Sequence, residues 1–210
     1  MRIFKTPKFT KRLQRSEWMH KHFNKIFLSG KILDVGCFEA PLRTIVGTER
    51  YTGIDIAGNP DISLNLEKID NLPFEDSEFE TVICVEVLEH LDNLHSLSKD
   101  LFRCSSQYVL ISLPNAWRDA RSKIHKGRGS IAHYGIPKNP PLDRHKWFFN
   151  LEEGIDYLKF VKPEGWTVDI IATEQSRPWI TRAARKLINP GINYANKYCQ
   201  TAWALYSKHG

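Results

Sequence analysis

Lys31-Ile32-Leu33-Asp34-Val35-Gly36-Cys37-Phe38-Glu39-Ala40-Pro41-Leu42 is the stretch on which the fold turns. Ile32, Leu33 and Val35 make a short apolar run that reads as a buried strand, Gly36 permits a tight turn, and Pro41 suits a first helical position. A strand passing straight into a turn and a helix leaves a crevice at the strand's carboxyl end, lined by backbone N–H groups against which a ligand can lie. The next strand is predicted at Tyr51-Thr52-Gly53-Ile54-Asp55. Its terminal carboxylate falls about 20 residues beyond the glycine turn, the spacing of a group that accepts from ribose hydroxyls.

Working outward, Ala57-Gly58-Asn59-Pro60 reads as a turn and Asp61 to Leu66 as a short third strand. Phe79 to Val85 is apolar enough for burial on both faces, so Glu86 emerges at that strand's carboxyl end. Glu89 and His90 follow on an expected helix start, where either could hold a substrate or a loop. A helix is predicted over Leu94 to Arg103, and a fifth strand over Tyr108 to Leu113 ends at Pro114-Asn115, with Asn115 placed to cap a helix from Ala116. Leu151 to Phe160 has helical spacing, Trp166 to Thr173 alternates as a strand, Arg182 to Leu187 is a basic helical piece, and Thr201 to Tyr206 is the last strand. Upstream, Met19, Phe23, Ile26 and Phe27 form the apolar stripe of an amphipathic helix within residues 10–28 that stops near Gly30.

With 210 residues, 41% of them hydrophobic, the chain can bury one good core and is read as a single domain, 1–210. Within it, 1–30 is an N-terminal helical segment and 116–149 an insertion. In the insertion the core pattern stops: Lys126-Gly127-Arg128-Gly129-Ser130 is a loose basic loop and Ile136-Pro137-Lys138-Asn139-Pro140-Pro141 is stiff and extended, together suggesting a substrate lid. Its His133, Tyr134, Arg144, His145 and Trp147 could touch a substrate. His133, Tyr134 and His145, with His90, are the candidate catalytic residues.

Charge is segregated along the chain. Residues 1–31 hold nine Lys and Arg against one acidic residue, residues 32–115 hold five against fifteen, and residues 116–149 hold eight against two. Basic flanks around an acidic block suit an anionic partner. No helix-turn-helix, RNP-like or zinc-finger pattern accompanies them, so a small or lipid-linked anion is favoured over nucleic acid. The four cysteines, Cys37, Cys84, Cys104 and Cys199, are widely spaced and read as reduced core residues. No metal is required by any pattern in the sequence. No run of about 18 apolar residues occurs, and the first residues have no signal-peptide character, so the expected location is cytoplasmic, with peripheral contact at a membrane surface still compatible.

Taken together, Leu33-Asp34-Val35-Gly36-Cys37, Gly53-Ile54-Asp55, Leu72-Pro73-Phe74, Phe79 to Cys84 and Val85-Glu86-Val87-Leu88-Glu89-His90-Leu91 resemble the class I S-adenosylmethionine-dependent methyltransferases, of the type 11-like kind. The resemblance covers roughly residues 30 to 115 well. It implies a doubly wound, mostly parallel, seven-stranded Rossmann-like α/β sheet with the basic insertion after the fifth strand, and S-adenosylmethionine as cofactor. It also implies methyl transfer, and with the basic flanks the expected acceptor is small-molecule or lipid-linked and anionic. Carried onto this chain, the cofactor-binding positions are Asp34, Gly36, Cys37, Phe38, Asp55, Ile56, Asn65, Leu66 and Glu86, with Asn65 near the adenine amino group.

One departure stands out. Where the family usually has Gly-x-Gly-x-Gly, this chain has Gly36, Phe38 and Ala40. The expectation is that Phe38 points into the core and leaves the N–H groups of residues 36–40 facing the cofactor. The rival is a catalytically decayed binding or scaffold protein on the same fold. A nicotinamide-dependent oxidoreductase would share the turn and Asp55 but leaves Leu72 to Leu91 unexplained.

Overall fold

The computed structural model describes residues 1–141 and 143–209. Leu142, inside the expected lid, and Gly210, at the end of the expected domain, lie outside the described residues.

The elements in chain order are β1 (Arg2–Thr6), α1 (Arg12–His22), β2 (Ile32–Val35), α2 (Arg43–Val46), β3 (Tyr51–Asp55), β4 (Ile62–Ser63), β5 (Phe79–Val85), α3 (Leu94–Cys104), β6 (Ser105–Pro114), α4 (Ala116–His125), α5 (Leu151–Phe160), β7 (Trp166–Gln175), α6 (Trp179–Ile188), α7 (Ile192–Tyr198) and β8 (Cys199–Lys208). Short 3₁₀ turns occupy Asn24–Phe27, Thr48–Arg50, Leu66–Lys68 and Leu88–His90. The strands form one eight-stranded sheet in the order β1-β7-β8-β6-β5-β2-β3-β4. β8 lies antiparallel between β6 and β7, and every other pairing is parallel.

Seven strands were expected and the eighth is β1. It pairs with β7 at an edge, Ile3 opposite Ala172, and buries only Thr6. So little buried area leaves no local signal, because the strand exists through pairing with a partner 169 residues away. The N-terminal segment is therefore a strand followed by a helix, where helix alone was expected.

β2 and β5 are fully buried over Ile32–Val35 and almost so over Phe79–Val85, as strands covered on both faces must be. One apolar cluster, with Leu33, Val35, Val82, Leu101 and Tyr206, packs on one side of the sheet. A second, with Met19, Phe23, Ile26, Phe27, Ile83 and Trp203, packs on the other. The stripe read in residues 10–28 thus does anchor α1 and its following turn to the sheet.

From β2 the chain winds one way through β3 and β4 and the other way through β5 and β6. The reversal leaves an open crevice outside the carboxyl ends of β2 and β5, the place where open α/β sheets bind ligands.

Candidate functional site

The crevice begins with the turn after β2. Gly36 N and Cys37 N both donate to Ile54 O, at 2.8 and 3.2 Å, and Ala40 N donates to Cys37 O at 2.8 Å. Gly36, Phe38 and Ala40 all have left-handed backbones, with φ of 79°, 48° and 49°. The turn therefore keeps a glycine-type conformation although two of its three positions carry a side chain, at a cost of roughly 1–2 kcal/mol each.

Phe38 does not point into the core as expected. The space beneath the turn is already filled by Cys37, Ala40, Leu42 and Tyr51, and close-packed interiors have no room for a further ring. The Phe38 ring is instead half-buried, with the guanidinium of Arg12 in α1 4.6 Å from its centroid. Its N–H turns the other way and donates to Asp55 Oδ2 at 2.9 Å, while Ala57 N donates to Oδ1 at 3.0 Å. Asp55 thus holds both lips of the crevice, and each oxygen keeps a lone pair for a hydroxyl donor. Ile56 beside it is exposed, an apolar lip at the same edge. The helix after the turn is shorter than predicted: it starts at Arg43, two residues beyond Pro41, and lasts one turn. What lines the crevice is the turn's own backbone.

Asp34 is buried below the turn and accepts from the Tyr51 hydroxyl at 2.8 Å. Burial is the main influence on its carboxyl, which is pushed up to about 6, with Tyr51 and then Arg15 pulling the other way. Cys37 is buried as well, and its thiol is pushed up to about 12 by burial and by Asp34. It stays a protonated packing residue, as do Cys84, Cys104 and Cys199, all free and buried. Asn65 accepts from Glu67 N at 3.0 Å and so caps the turn at Leu66–Lys68. Leu66 sends its side chain into the core, which leaves only its main chain for a ligand.

Glu86 leaves β5 with φ 54°. Its carboxylate is ion-paired to Arg15 of α1 and accepts from the Thr201 hydroxyl at 3.0 Å. Sequence reasoning gave α1 no contact in the crevice, yet Arg12 and Arg15 both reach it. Their spacing of three, which puts them on one helix face, was the available signal. A cavity of about 30 Å³ lies between these arginines and Asp34, Gly36, Cys37 and Pro41. On the other side of α1 a larger one, about 300 Å³, is walled by Lys11, Arg12, Arg15, Glu86, Thr201 and Trp203 among others.

The four candidate catalytic residues come together on the insertion side. His133 and His145 are stacked with centroids 4.5 Å apart, and His90 meets His145 edge-on at 4.4 Å. Tyr134 Oη lies 3.0 Å from His145 Nδ1 and donates to Trp147 O at 2.8 Å. Burial lowers His90 although the Asp143 carboxylate beside it pulls the other way, and drives His145 down to about 4. A cavity of about 280 Å³ opens beside them, with Pro114, Ala116, Ile131, His133, Tyr134 and His145 in its wall. The end of the insertion is fastened to the loop after β5: Lys146 N donates to Glu89 O at 2.8 Å, Trp147 Nε1 donates to Leu91 O at 2.8 Å, and the Lys146 ammonium pairs with Glu67 and Asp92. Asn115 accepts from Arg118 N at 3.2 Å, the predicted cap, and also donates to Asn196 O and Cys199 O at 2.9 Å.

A family model described as a methyltransferase domain matches residues 10–173. No curated protein matches the chain. Among solved structures it resembles an S-adenosylmethionine-dependent methyltransferase from Archaeoglobus fulgidus (TM-score 0.57, 17% identity, 96% of each chain covered). It also resembles magnesium protoporphyrin IX methyltransferase from Synechocystis PCC 6803 with bound S-adenosylhomocysteine (TM-score 0.51, 13% identity, 95% of this chain and 90% of that one). A third is a Haemonchus contortus phosphoethanolamine N-methyltransferase in complex with phosphomonomethylethanolamine and S-adenosylhomocysteine (TM-score 0.55, 14% identity, 93% of this chain and 53% of that one). At these identities the likeness is one of fold.

Proposed function

This chain belongs to the methyltransferase domain family, and we propose that it moves the methyl group of its cofactor, S-adenosylmethionine, to an anionic acceptor that is small or lipid-linked. The carrying observation is the crevice at the ends of β2, β3 and β5, where the left-handed turn and Asp55 remain joined by the Phe38 N–H.

The residues suit the cofactor's chemistry end by end. Asp55 offers lone pairs to the ribose hydroxyls, and Ile56 offers an apolar edge to the base. Buried Asp34 complements an ammonium, and Arg12 or Arg15 complements a carboxylate. The cavity beside Asp34, about 30 Å³, is small, so Arg12 and Arg15 would have to move off Phe38 and Glu86 for an amino-acid end to fit there. The cofactor supplies an activated methyl: the acceptor's lone pair bonds to that carbon as the sulfur–carbon pair returns to sulfur. The protein's task is alignment. For a hydroxyl acceptor a base is also needed, and the imidazole of His133 or His145 stands at a cavity wall for that. The scaffold alternative finds no support, because loss of two glycines has left the turn's conformation in place.

For the acceptor, Lys11, Arg12 and Arg15 give the cavity of about 300 Å³ a basic wall. That the Haemonchus neighbour is in complex with a phosphate ester agrees with an anionic acceptor. The lipid-linked option draws on α6, which buries none of its residues and exposes Trp179, Ile180, Leu187 and Ile188 beside Arg182, Arg185 and Lys186, the composition of a helix that lies on an anionic membrane surface. Co-sedimentation with phosphatidylglycerol vesicles, lost in Trp179→Ser/Leu187→Ser, would favour the lipid-linked acceptor. No sedimentation would favour the small one.

Calorimetry with S-adenosylmethionine and S-adenosylhomocysteine tests the reading. Both should bind, and Phe38→Gly should change affinity by less than about tenfold, roughly 1.4 kcal/mol, because the ring lies outside the core and its N–H bond to Asp55 survives. A wild-type protein that binds neither, with binding gained only in Phe38→Gly, would overturn it.

A pH dependence follows from Asp34. If the ionised carboxylate pairs with the cofactor's ammonium, affinity should be flat above about pH 6 and fall about tenfold per unit below it. Asp34→Asn should abolish the slope. Linkage to folding has the opposite sign: a raised carboxyl favours the protonated fold, a contribution complete below the ordinary value of 3.8 and lost as pH rises through about 6.

A further inference from the structure

We propose that Glu89, His90 and His145 form a binding site for one divalent transition-metal ion, with two imidazole nitrogens and one carboxylate as ligands. One donor atom from each of the three lies within 4.8 Å of the other two. Two ligands at roughly 2.1 Å from a common ion stand about 3–4 Å apart, so binding draws the set together by about an ångström.

The independent observation is Glu89 itself. It is 1% exposed, and neither carboxylate oxygen has a hydrogen-bond partner from another residue among the described residues. The contact at its Oε1 is His90 Nε2, 3.6 Å away, beyond hydrogen-bond range. Ionised there without partners, the carboxylate would cost several kcal/mol, and methyltransfer as described above gives it no work. A cation at the centre of the cluster removes that cost.

Each second ring nitrogen has an oxygen beside it, the arrangement seen at metal sites. His90 Nδ1 faces the Asp143 carboxylate and His145 Nδ1 faces the Tyr134 hydroxyl, which leaves Nε2 of both rings for the ion. A carboxylate or hydroxyl on the far nitrogen fixes the tautomer and the orientation of a ligating imidazole. Two of the ligands lie at the end of β5 and the third on the insertion, so the ion would also pin the insertion over the crevice.

Two imidazoles and a carboxylate suit Zn²⁺, Mn²⁺, Fe²⁺ or Co²⁺ over Mg²⁺, and three protein ligands leave positions open. An acceptor oxygen in the neighbouring cavity could take one of them and lose its proton more readily, with His133 left as the group that receives it. Binding of the ion does not depend on that use. It is read without cofactor, so failure here and failure of the methyltransfer reading are separable.

The test is titration of chelator-treated full-length protein with Co²⁺, followed by its visible absorption bands, and with Zn²⁺ by calorimetry. One ion per chain is expected, with a rise in melting temperature on Zn²⁺ addition. His145→Gln and Glu89→Gln should each weaken binding at least about 100-fold, and Asp143→Asn roughly 10–100-fold. His133→Gln should be nearly neutral. His145→Gln, on the partly exposed insertion, serves as the test if Glu89→Gln fails to fold. The proposal is overturned by no saturable binding at millimolar Co²⁺ or Zn²⁺, by unchanged binding in His145→Gln, or by Mg²⁺ binding more tightly than Zn²⁺.

Discussion

Gly36→Ala should destabilise the protein by roughly 2–5 kcal/mol. Two penalties combine. With φ at 79°, an added Cβ crowds the carbonyl oxygen for roughly 1–2 kcal/mol. The same Cβ would stand 2.2 Å from Val87 Cγ2, an overlap that forces main chain or side chain aside for roughly 1–3 kcal/mol more. Gly127→Ala is the control, since Gly127 has φ 63° but nothing within 4 Å of an added Cβ, and it should show the strain alone. Urea unfolding of both variants measures the difference. Equal losses would mean that Val87 gives way and that the turn does not need glycine for packing. Because a domain of this size holds about 5–15 kcal/mol in all, the variant should also be close to failing at 37 °C.

Asp55→Ala should weaken S-adenosylhomocysteine binding by more than about 1.5–3 kcal/mol, on the order of 10- to 150-fold. Its place at the end of β3, about 20 residues beyond the glycine turn, suits the carboxylate to the ribose. The structure gives it a second task, because it also accepts from Phe38 N and Ala57 N and so fixes the backbone on both sides of the crevice. Removing it leaves two N–H groups to find water and frees a turn already strained at Phe38 and Ala40. Asp55→Asn separates the tasks: its carbonyl can replace one acceptor but not both, so its affinity should fall between wild type and alanine. Calorimetry with far-UV circular dichroism as a fold check decides it, and unchanged affinity in Asp55→Ala would remove this residue from the site.

Local pattern was enough for the elements that bury apolar side chains at a regular period. β5 over Phe79–Val85 and α5 over Leu151–Phe160 have the predicted limits, since in each the run of buried residues and its flanking breakers specify the element without reference to a partner. Asn115 as a cap and Asp55 at the end of its strand were legible for the same reason. The turn was legible from the apolar strand that runs into Gly36, and it persists because Gly36 N and Cys37 N bond to Ile54 O, Phe38 N to the Asp55 carboxylate and Ala40 N to Cys37 O, whichever side chains occupy it.

Other features were decided by the tertiary structure alone. β1 and α7 have weak patterns of their own: one is held by pairing with β7, the other by burial of Tyr194 and Ala195 and by Asn115 donating to its carbonyls. The direction of the Phe38 ring depended on what already filled the space under the turn. Bringing Arg15 to Glu86, and His90 to His133 and His145, depended on chain closure across 71, 43 and 55 positions, which no local period encodes. Apart from β1, the sequence by itself determined the sheet, its crevice and the residue types available there. Which of them meet, and that Glu89 is buried beside imidazoles with no hydrogen-bond partner from another residue among the described residues, follows from packing, because burial and the distances between charges are properties of the folded chain.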